Sequence, residues 1–428
     1  MSSLRTIYKR LRSIAAQWYH YAEFCVIRIK QQRRLRHIEY SNDRVRVVFF
    51  AMNVSMWRYQ ALCEALARNN HFDVNVVLSP CATYSIEQQR KDIAALKEYF
   101  AKHQTPYIDH NFKAAEAYDV RQEIDPDILF YPQPYPNILC AKHDISNFED
   151  RLLCYYPYAF WTAYGSWSYN TRFHNIAWKL YYSTKLHLKD AQRLAHNRGR
   201  NVVVVGYPNA DNFLHTPTVD VWKPQPNAKK RIIWAPHFTI SKERSLVAHS
   251  SFLWMADLML EIAEQYRDSI QIAFKPHPRL LTELYLHPEW GEQRTMNYYQ
   301  KWRDMANGQL EDGEFKDLFM TSDAMIHDSS SFTVEYHYSL KPVIYVQEDV
   351  EAYASTLSEF GRLALDAHYK GKNREDIIDF VERIVLGNED EMLAQRQAFY
   401  DDYLLPPYGH TVCENTVIDL LKSLKRDE

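Results

Sequence analysis

Ionisable and hydroxyl side chains follow directly after three apolar runs in the second half of the sequence. They are Lys275 and His277 after residues 270–274, His237 after residues 231–235, and Asp328, Ser329, Ser330 and Ser331 after residues 324–326. Each run predicts a short buried strand, and open α/β sheets bind ligands at the carboxyl ends of their strands. Two potential cations and several hydroxyls at such an edge predict a phosphate-binding site. Each group alone also has a simpler role, as a solvated charge or a turn residue, so the prediction depends on their joint occurrence.

The serine-rich segment precedes a predicted helix that runs from Phe332 to Ser339 and carries Glu335 near its start. The first N–H groups of a helix have no partner within the helix, and the helix dipole favours negative charge there. A nucleoside diphosphate is therefore the expected ligand, with the serines on its phosphates and Glu335 on the ribose hydroxyls. The alternative is that Asp328 or a serine only caps the helix, which is worth about 1 kcal/mol. Lys-Pro-His-Pro at 275–278 favours the ligand site, because it places further phosphate-binding groups at another strand end.

The sequence lacks the motifs of several other chemistries. No Gly-x-Gly-x-x-Gly, P-loop, His-Glu-x-x-His or Gly-x-Ser-x-Gly motif occurs. Asp125-Pro126-Asp127 has the Asp-x-Asp spacing that holds a metal and a nucleotide sugar, but its place before the apolar run 128–131 indicates a turn. The candidate metal-binding histidines lack ligand spacing; they are His237, His277, His327 and His337. We therefore predict neither a metal site nor a cofactor.

Length and composition indicate a globular protein of two domains. The 428 residues are 46% hydrophobic and 25% charged, and they suffice for two cores of ordinary size. The net charge of −3 gives no indication of a nucleic-acid partner. The six cysteines are scattered without a Cys-x-x-Cys pair, which indicates a reducing compartment and no structural zinc site.

The first 40 residues differ in charge from the rest of the chain, with nine Lys or Arg against two Glu. Leu4, Ile7, Leu11 and Ile14 recur at helical spacing, so residues 1–43 are predicted to form a basic amphipathic helical segment. Such a segment either lies on an anionic membrane surface or packs on the protein with its basic face in solvent. No uninterrupted run of about 18 apolar residues occurs, so no membrane-spanning helix is predicted.

Apolar runs alternate with helical segments from residue 44 onward, which predicts an α/β fold with parallel sheets. The predicted strands are 45–50, 74–78, 127–131, 152–156, 202–205, 231–235, 270–274, 324–326 and 343–346. We predict a first Rossmann-like domain at 44–215 and a second at 216–410, joined through the proline-containing stretch 211–230. The segment 411–428 predicts a C-terminal helix that could cross back to the first domain.

The segments around these strand ends are similar to those of a known family. Lys-Pro-His-Pro at 275–278, followed by Ser-Asp-Ala-Met-Ile-His-Asp-Ser-Ser-Ser at 322–331, resembles the CDP-glycerol glycerophosphotransferase family of teichoic-acid polymerases and primases. The matching positions are Ser322-Asp323, Asp328, Ser330-Ser331, Glu335-Tyr336 in place of the family's Asp-Tyr, Trp-Ala-Pro at 234–236, and Gly-Tyr-Pro-Asn-Ala-Asp at 206–211.

This resemblance implies a GT-B fold, in which two doubly wound Rossmann-like domains face a central cleft, the first for the acceptor and the second for the nucleotide donor. It implies that His277, Ser330 and Ser331 hold the diphosphate and that Glu335 holds the ribose. The implied reaction moves a polyol phosphate, glycerol phosphate first, from a CDP-activated donor to a hydroxyl of a lipid-linked or growing cell-surface polymer, releasing CMP. We expect such an enzyme at the cytoplasmic face of the cell membrane, as a peripheral protein on an anionic surface, with CDP-glycerol as donor and no nucleic-acid partner.

The first domain departs from the family at the position of the catalytic base. The family has a Trp-His-Gly motif there, whereas the corresponding segment 154–161 contains no histidine. His237 is our candidate for the base because it lies at a strand end, although a structural role fits it equally; Asp119, His143 and Asp144 are alternatives in the first domain. Two other functions stay open: a GT-B glycosyltransferase that uses a nucleotide sugar, and a non-catalytic nucleotide-binding scaffold protein.

Overall fold

The computed structural model describes residues 23–41, 43–110, 112, 117–241, 250–330 and 332–426. These residues form two compact units. The first contains the described residues up to Ala159, Gly165–Ala210 and the chain from Pro406, and the second contains Phe160–Tyr164 and Asp211–Leu405. The chain thus changes unit after Ala210, earlier than the expected boundary at 215, and it returns to the first unit at Pro406 rather than at 411.

The first unit is built on a parallel sheet of six strands in the order β2-β1-β3-β4-β5-β6. The strands are β1 (Val45–Ala51), β2 (Phe72–Leu78), β3 (Ile128–Tyr131), β4 (Leu152–Tyr155), β5 (Lys179–Tyr182) and β6 (Val202–Val204). Most are continuous apolar runs, as expected for a parallel sheet that is covered on both faces. The short strand β5 was not among the predicted strands.

Helices cover this sheet and connect its parallel strands. The α-helices are α1 (23–40), α2 (Gln60–Arg68), α3 (Ile86–Lys102), α4 (Val120–Glu123), α5 (Arg172–Ile176), α6 (Lys185–Leu194) and, at the end of the chain, α17 (Val412–Leu424). Short 3-10 turns are Val54–Met56, Ala141–His143, Ile145–Phe148, Ser166–Ser168 and Pro407–Gly409. Helix α17 begins with a capping box between Thr411 and Glu414, and its Asp419 carboxylate binds Lys179 and Tyr181 of β5.

Helix α1 packs on the surface of the first unit. Ile27 and Ile38 are buried, and the buried Gln31 donates from Nε2 to the carbonyl oxygen of Ile176 over 2.9 Å. Arg34 forms an ion pair of 2.6 Å with Asp127 at the start of the sheet. Of the two alternatives for the basic segment, packing on the protein therefore describes residues 23–40, while the predicted helix in residues 1–22 lies outside the described residues.

The second unit is built on another parallel sheet of six strands, in the order β12-β11-β10-β7-β8-β9. The strands are β7 (Lys230–Ala235), β8 (Ile270–Phe274), β9 (Gly308–Leu310), β10 (Ala324–His327), β11 (Val343–Val346) and β12 (Tyr369–Gly371). The short strands β9 and β12 extend the two sides of the predicted sheet.

Its helices are distributed along the whole unit. The α-helices are α7 (Ala210–His215), α8 (Phe252–Gln265), α9 (Leu280–Tyr285), α10 (Gly291–Asp304), α11 (Lys316–Thr321), α12 (Phe332–Glu335), α13 (Val350–Ser355), α14 (Glu359–Asp366), α15 (Arg374–Asp379) and α16 (Leu393–Phe399). A 3-10 turn at Tyr336–Ser339 follows α12, and wider helical turns at Phe380–Leu386 and Tyr400–Leu404 continue α15 and α16. The predicted helix 332–339 is thus a single α-turn followed by a 3-10 turn, which ends at Leu340 in the left-handed conformation (φ 58°).

An aromatic core supports the two strands that carry the candidate residues. Trp234 of β7 pairs in register with Phe274 of β8, and their ring centroids are 4.9 Å apart. Phe252 of α8 stacks on Trp234 at 5.7 Å, and Trp302 of α10 lies 5.9 Å from the same ring. Because buried aromatic side chains contribute large apolar areas, this layer holds the ends of β7 and β8 in place.

Within the parts of the chain that the structure describes, no helix is both long and apolar enough to cross a membrane. The cysteines are all unpaired.

Candidate functional site

The carboxyl ends of β10, β7 and β8 lie side by side in the second sheet. His327 at the end of β10 pairs with Ala235 of β7, and Trp234 pairs with Phe274 of β8. The segments that follow these strands therefore emerge from one edge. This edge brings together the groups that the sequence predicted, namely His237, Lys275, His277, Asp328 and Ser329.

Asp328 is fully buried at the centre of this edge. Its Oδ1 accepts a hydrogen bond of 2.5 Å from the backbone N–H of His237. Its Oδ2 accepts from the N–H (2.5 Å) and the hydroxyl (2.8 Å) of Ser251. Asp328 therefore joins the segment after β7 to the start of α8. Three protein donors on its buried carboxylate hold the surrounding segments in position, and the predicted contact of Asp328 with substrate stays a prediction.

His237 and His277 face one another at the edge, with ring centroids 5.0 Å apart. The Nδ1 of His277 accepts a hydrogen bond of 3.1 Å from the backbone N–H of Arg279, so the neutral ring carries its proton on Nε2. Burial, with a smaller contribution from the Arg279 charge, lowers the pKa of His277 to about 4. At pH 7 His277 is therefore a neutral donor through Nε2–H, and not the cation that the sequence suggested. Nδ1 of His237 lies 3.0 Å from the hydroxyl of Thr239.

Lys275 is buried, and its side chain contacts the loop that follows β9. Its Nζ donates a hydrogen bond of 2.7 Å to the carbonyl oxygen of Gly313. Burial lowers the pKa of Lys275, while the carboxylates of Glu311 and Asp312 oppose that shift. Lys275 thus places its amino group at this end of the sheet and holds the loop that follows β9.

The hydroxyl-rich turn after β10 is held by a side chain of α12. The carbonyl oxygen of Ser329 accepts a hydrogen bond of 3.1 Å from the hydroxyl of Thr333. Ser330 is partly exposed, and Ser331 lies outside the described residues. Because α12 is a single turn, its dipole is smaller than the predicted helix implied. Glu335, the last residue of α12, is buried with 4% of its surface exposed.

His327, the last residue of β10, contacts other groups than those that Asp328 binds. His327 places Nδ1 at 3.1 Å from the Ser329 carbonyl oxygen and Nε2 at 3.1 Å from Nε2 of His368. Burial lowers the pKa of His327 and of His337 to about 3. These histidines form a buried support behind the turn. Among the described residues no group of three or more His, Cys, Asp or Glu side chains could hold a metal ion.

Two residues at this edge were missed by the sequence analysis. Arg279 lies 4.0 Å above the ring of Phe238, and that ring lies 4.6 Å from the ring of His277. The Arg279 side chain is 60% exposed and pairs with Glu283 at 3.3 Å. Arg279 adds an exposed cation beside the histidines. Its position directly after Lys-Pro-His-Pro is the sequence signal that identifies it.

The alternative bases in the first unit all make hydrogen bonds with other groups of the protein. Both ring nitrogens of the buried His143 are engaged at 2.8 Å, by the Ser79 hydroxyl and the Tyr118 carbonyl oxygen. Asp119 caps α4 through the Gln122 N–H at 3.1 Å. Asp144 accepts three hydrogen bonds of 2.6 to 3.0 Å. These contacts stabilise local structure, and the ionisable groups at the second sheet remain the better candidates for proton transfer.

Comparison with known proteins places the chain in a family. Residues 166–406 match the model of the family described as CDP-glycerol:poly(glycerophosphate) glycerophosphotransferase. No curated protein sequence matches the chain.

Solved structures resemble the whole chain at low sequence identity. The wall teichoic acid polymerase TagF aligns with a TM-score of 0.58 and 13% identity, covering 96% of this chain and 98% of that one. UDP-GlcNAc 2-epimerase from Neisseria meningitidis, bound to UDP-GlcNAc, aligns with a TM-score of 0.55 and 15% identity, covering 89% and 100%. The S. aureus MnaA–UDP complex aligns with a TM-score of 0.55 and 15% identity, covering 90% and 97%. These likenesses, with the two parallel sheets, assign the fold to the GT-B type.

The matched region covers more than half of the chain and contains all the strand-end groups of the second sheet. The chain therefore belongs to the CDP-glycerol:poly(glycerophosphate) glycerophosphotransferase family and is a transferase of that type.

Proposed function

We propose that the chain transfers glycerol phosphate from CDP-glycerol to a hydroxyl of a lipid-linked or growing cell-surface polymer. The observation that supports this most is the family match over residues 166–406, within which all candidate site residues lie. The three neighbouring strand ends supply the kind of edge at which open α/β sheets bind nucleotides.

In this proposal the donor diphosphate lies against the edge of the second sheet. The Nε2–H of His277 and the hydroxyls of Ser330 and Ser331 donate to phosphate oxygens, and the buried Lys275 adds positive charge. Negative charge on a bound diphosphate raises the pKa of His277 again and strengthens this contact. Glu335 accepts hydrogen bonds from the ribose.

The reaction forms one bond and breaks one bond at the phosphorus that carries glycerol. The acceptor hydroxyl oxygen attacks that phosphorus, and the bond to the bridging oxygen breaks, so that CMP leaves with the bridging oxygen. A base takes the hydroxyl proton, and we assign this role to His237. The backbone N–H of His237 donates to Asp328, which holds this segment in place, and Nδ1 of the ring lies 3.0 Å from the Thr239 hydroxyl. The phosphate-binding groups stabilise the charge that develops on the oxygens.

We further propose that the protein works as a peripheral protein at the cytoplasmic face of the cell membrane, where its acceptor is presented. The basic residues of the N-terminal segment support an anionic membrane surface as a partner.

Calorimetric titration with CDP-glycerol, CMP, UDP and GDP, followed by product analysis, tests the proposal. We expect preference for the cytidine ligands, and release of CMP with a new phosphodiester when an acceptor is present. Preference for UDP or GDP, with formation of a glycosidic bond, would establish the glycosyltransferase alternative instead. Nucleotide binding without turnover of any donor would establish the scaffold alternative.

A further inference from the structure

A cavity of about 590 Å³ opens on the first unit, between α1 and the segment that precedes β4. It is lined by Lys30, Arg33, Arg34, His37, Arg121, Ser146, Asn147, Glu149, Asp150 and Arg151. Five of these side chains carry a positive charge and two carry a negative charge.

The two acidic residues of the cavity are already paired with arginines. Glu149 forms an ion pair of 2.6 Å with Arg172, which lies outside the lining. Asp150 binds Arg121 through both carboxylate oxygens, at 3.0 and 2.8 Å. Neither carboxylate is therefore available to neutralise the residues of α1.

Two basic residues of α1, Lys30 and Arg33, supply the excess positive charge, and His37 lies on the same face. Lys30, Arg33 and His37 recur at helical spacing, are exposed, and make no ion pair among the residues that the structure describes. Arg34, on the same side of the helix, is held by its ion pair with Asp127. The cavity thus combines fixed and uncommitted cations on one concave surface.

We propose that this cavity binds phosphate ester groups. Arginine presents a planar set of donors that matches the oxygens of a phosphate, and several cations around one cavity favour a ligand with more than one negative charge. Phosphate esters of this kind occur in the head groups of anionic phospholipids and in soluble phosphate esters. The inference does not depend on the proposed transfer reaction, because the cavity belongs to the first unit and shares no residue with the strand-end site.

The test compares two variants of the full chain that lose the same charge. Lys30→Gln/Arg33→Gln removes two cations from the cavity. Arg28→Gln/Arg36→Gln removes two exposed cations from the same helix that do not line it. Binding is measured by sedimentation with phosphatidylglycerol vesicles and by calorimetry with glycerol 3-phosphate. All four side chains are exposed, and circular dichroism checks that both variants keep their helix content.

We expect the cavity variant to bind at least one of these probes on the order of tenfold more weakly or worse, and the control variant to change it by less than about threefold. A cavity-dependent loss with vesicles alone identifies a lipid head group as the source, and a loss with glycerol 3-phosphate identifies a soluble ester. Equal weakening of both variants, or no binding of either probe by the unaltered protein, would overturn the proposal. Binding of CDP-glycerol, measured in parallel, is expected to be unchanged in both variants, so that this test and the test of the transferase remain separate.

Discussion

The carboxyl edges of the two sheets are built from the same kind of strand but carry different chemistry. In the second unit, His237, Lys275 and His277 follow neighbouring strands, and the buried Asp328 holds their segments together. In the first unit, the strands β3 and β4 end in tyrosines, and Asp119 and His143 are engaged by other groups of the protein. Similar parallel sheets therefore do not imply similar sites.

The difference lies in where the carboxylates find their hydrogen-bond partners. Asp144 and Asp119 bind N–H groups within a few residues in the sequence, as helix caps do. Asp328 binds groups that lie 77 and 91 residues away, and so connects separate elements of the unit. Long-range partners of this kind hold a binding edge in one arrangement, whereas local caps only end or begin a helix.

The largest expected effect is the loss of activity in His277→Ala. Loss of a preorganised donor to the phosphates should reduce kcat with CDP-glycerol by about 100- to 1,000-fold, without a comparable loss of stability. The matched control is His287→Ala, because Nδ1 of His287 makes the same local contact, with the N–H of Glu289, at the end of α9. Steady-state kinetics should show the control at nearly unaltered activity. Equal activity of both variants would remove His277 from the site.

The next largest effect is on the stability of the protein, when a carboxylate with long-range partners or one with local partners is replaced. Asp328→Asn should lower the free energy of unfolding by about 3 kcal/mol, because a buried acceptor of three hydrogen bonds then presents a donor to them. Asp144→Asn in the first unit should cost only about 1 kcal/mol or less, because asparagine also caps helices. Urea unfolding of the two variants measures both values. A larger loss in Asp144→Asn would contradict the contrast between local and long-range partners.

Acid should destabilise the folded protein through the buried histidines behind the strand ends of the second sheet. The folded pKa of His327 is about 3, against about 6.5 in an unfolded chain, so the unfolded chain binds more protons between these pH values. The stability that His327 contributes is therefore complete above about pH 6.5 and falls as the pH is lowered. Between pH 7 and pH 5 the free energy of unfolding should fall by about 2 kcal/mol less in His327→Gln than in the unaltered protein.

Urea unfolding at both pH values measures that difference, and the exposed His410 provides the control variant His410→Gln. Burial also lowers the pKa of His143 in the first unit. His143→Gln should therefore reduce the acid sensitivity in the same direction. If the pH dependence of the free energy of unfolding is unchanged in both His327→Gln and His143→Gln, neither sheet is supported by a histidine that burial keeps neutral.

The smallest expected effect is in the hydroxyl-rich turn. Replacing Ser330 and Ser331 together by alanine should weaken binding of CDP by about three- to tenfold, because two hydroxyl donors are lost while the backbone N–H groups remain. Ser355→Ala, an exposed serine at the end of α13, is the control. Calorimetry with CDP measures the change. Unaltered binding would place the diphosphate away from this turn.

Much of the fold was predictable because most strands are apolar runs with clear boundaries. Residues 270–274 and 343–346 were predicted with the observed bounds. The short strands β5, β9 and β12 were not, because a strand of three or four residues that contains lysine, glycine or glutamine shows no apolar run. Such strands form through pairing with a neighbour that is distant in the sequence.

The candidate site was predictable in position but only in part in role. The types and spacing of residues identified the three strand ends, and the family motif added the expected ligand. The sequence marked His277 only as a potential cation, and burial, which disfavours the charged ring, lowers its pKa to about 4 and makes it a neutral donor. Arg279, which the sequence analysis passed over, supplies the exposed charge at this edge.

The sequence by itself determined which residues end the strands of the second sheet, because apolar runs and the polar residues after them are local features. Only the tertiary structure decided what those residues do. Asp328 is a buried acceptor that links separate segments because the segment after β7 and the start of α8 both fold onto it. Burial and hydrogen-bond partners depend on residues far apart in the chain, and these two factors set whether an ionisable group is charged, neutral or available to substrate.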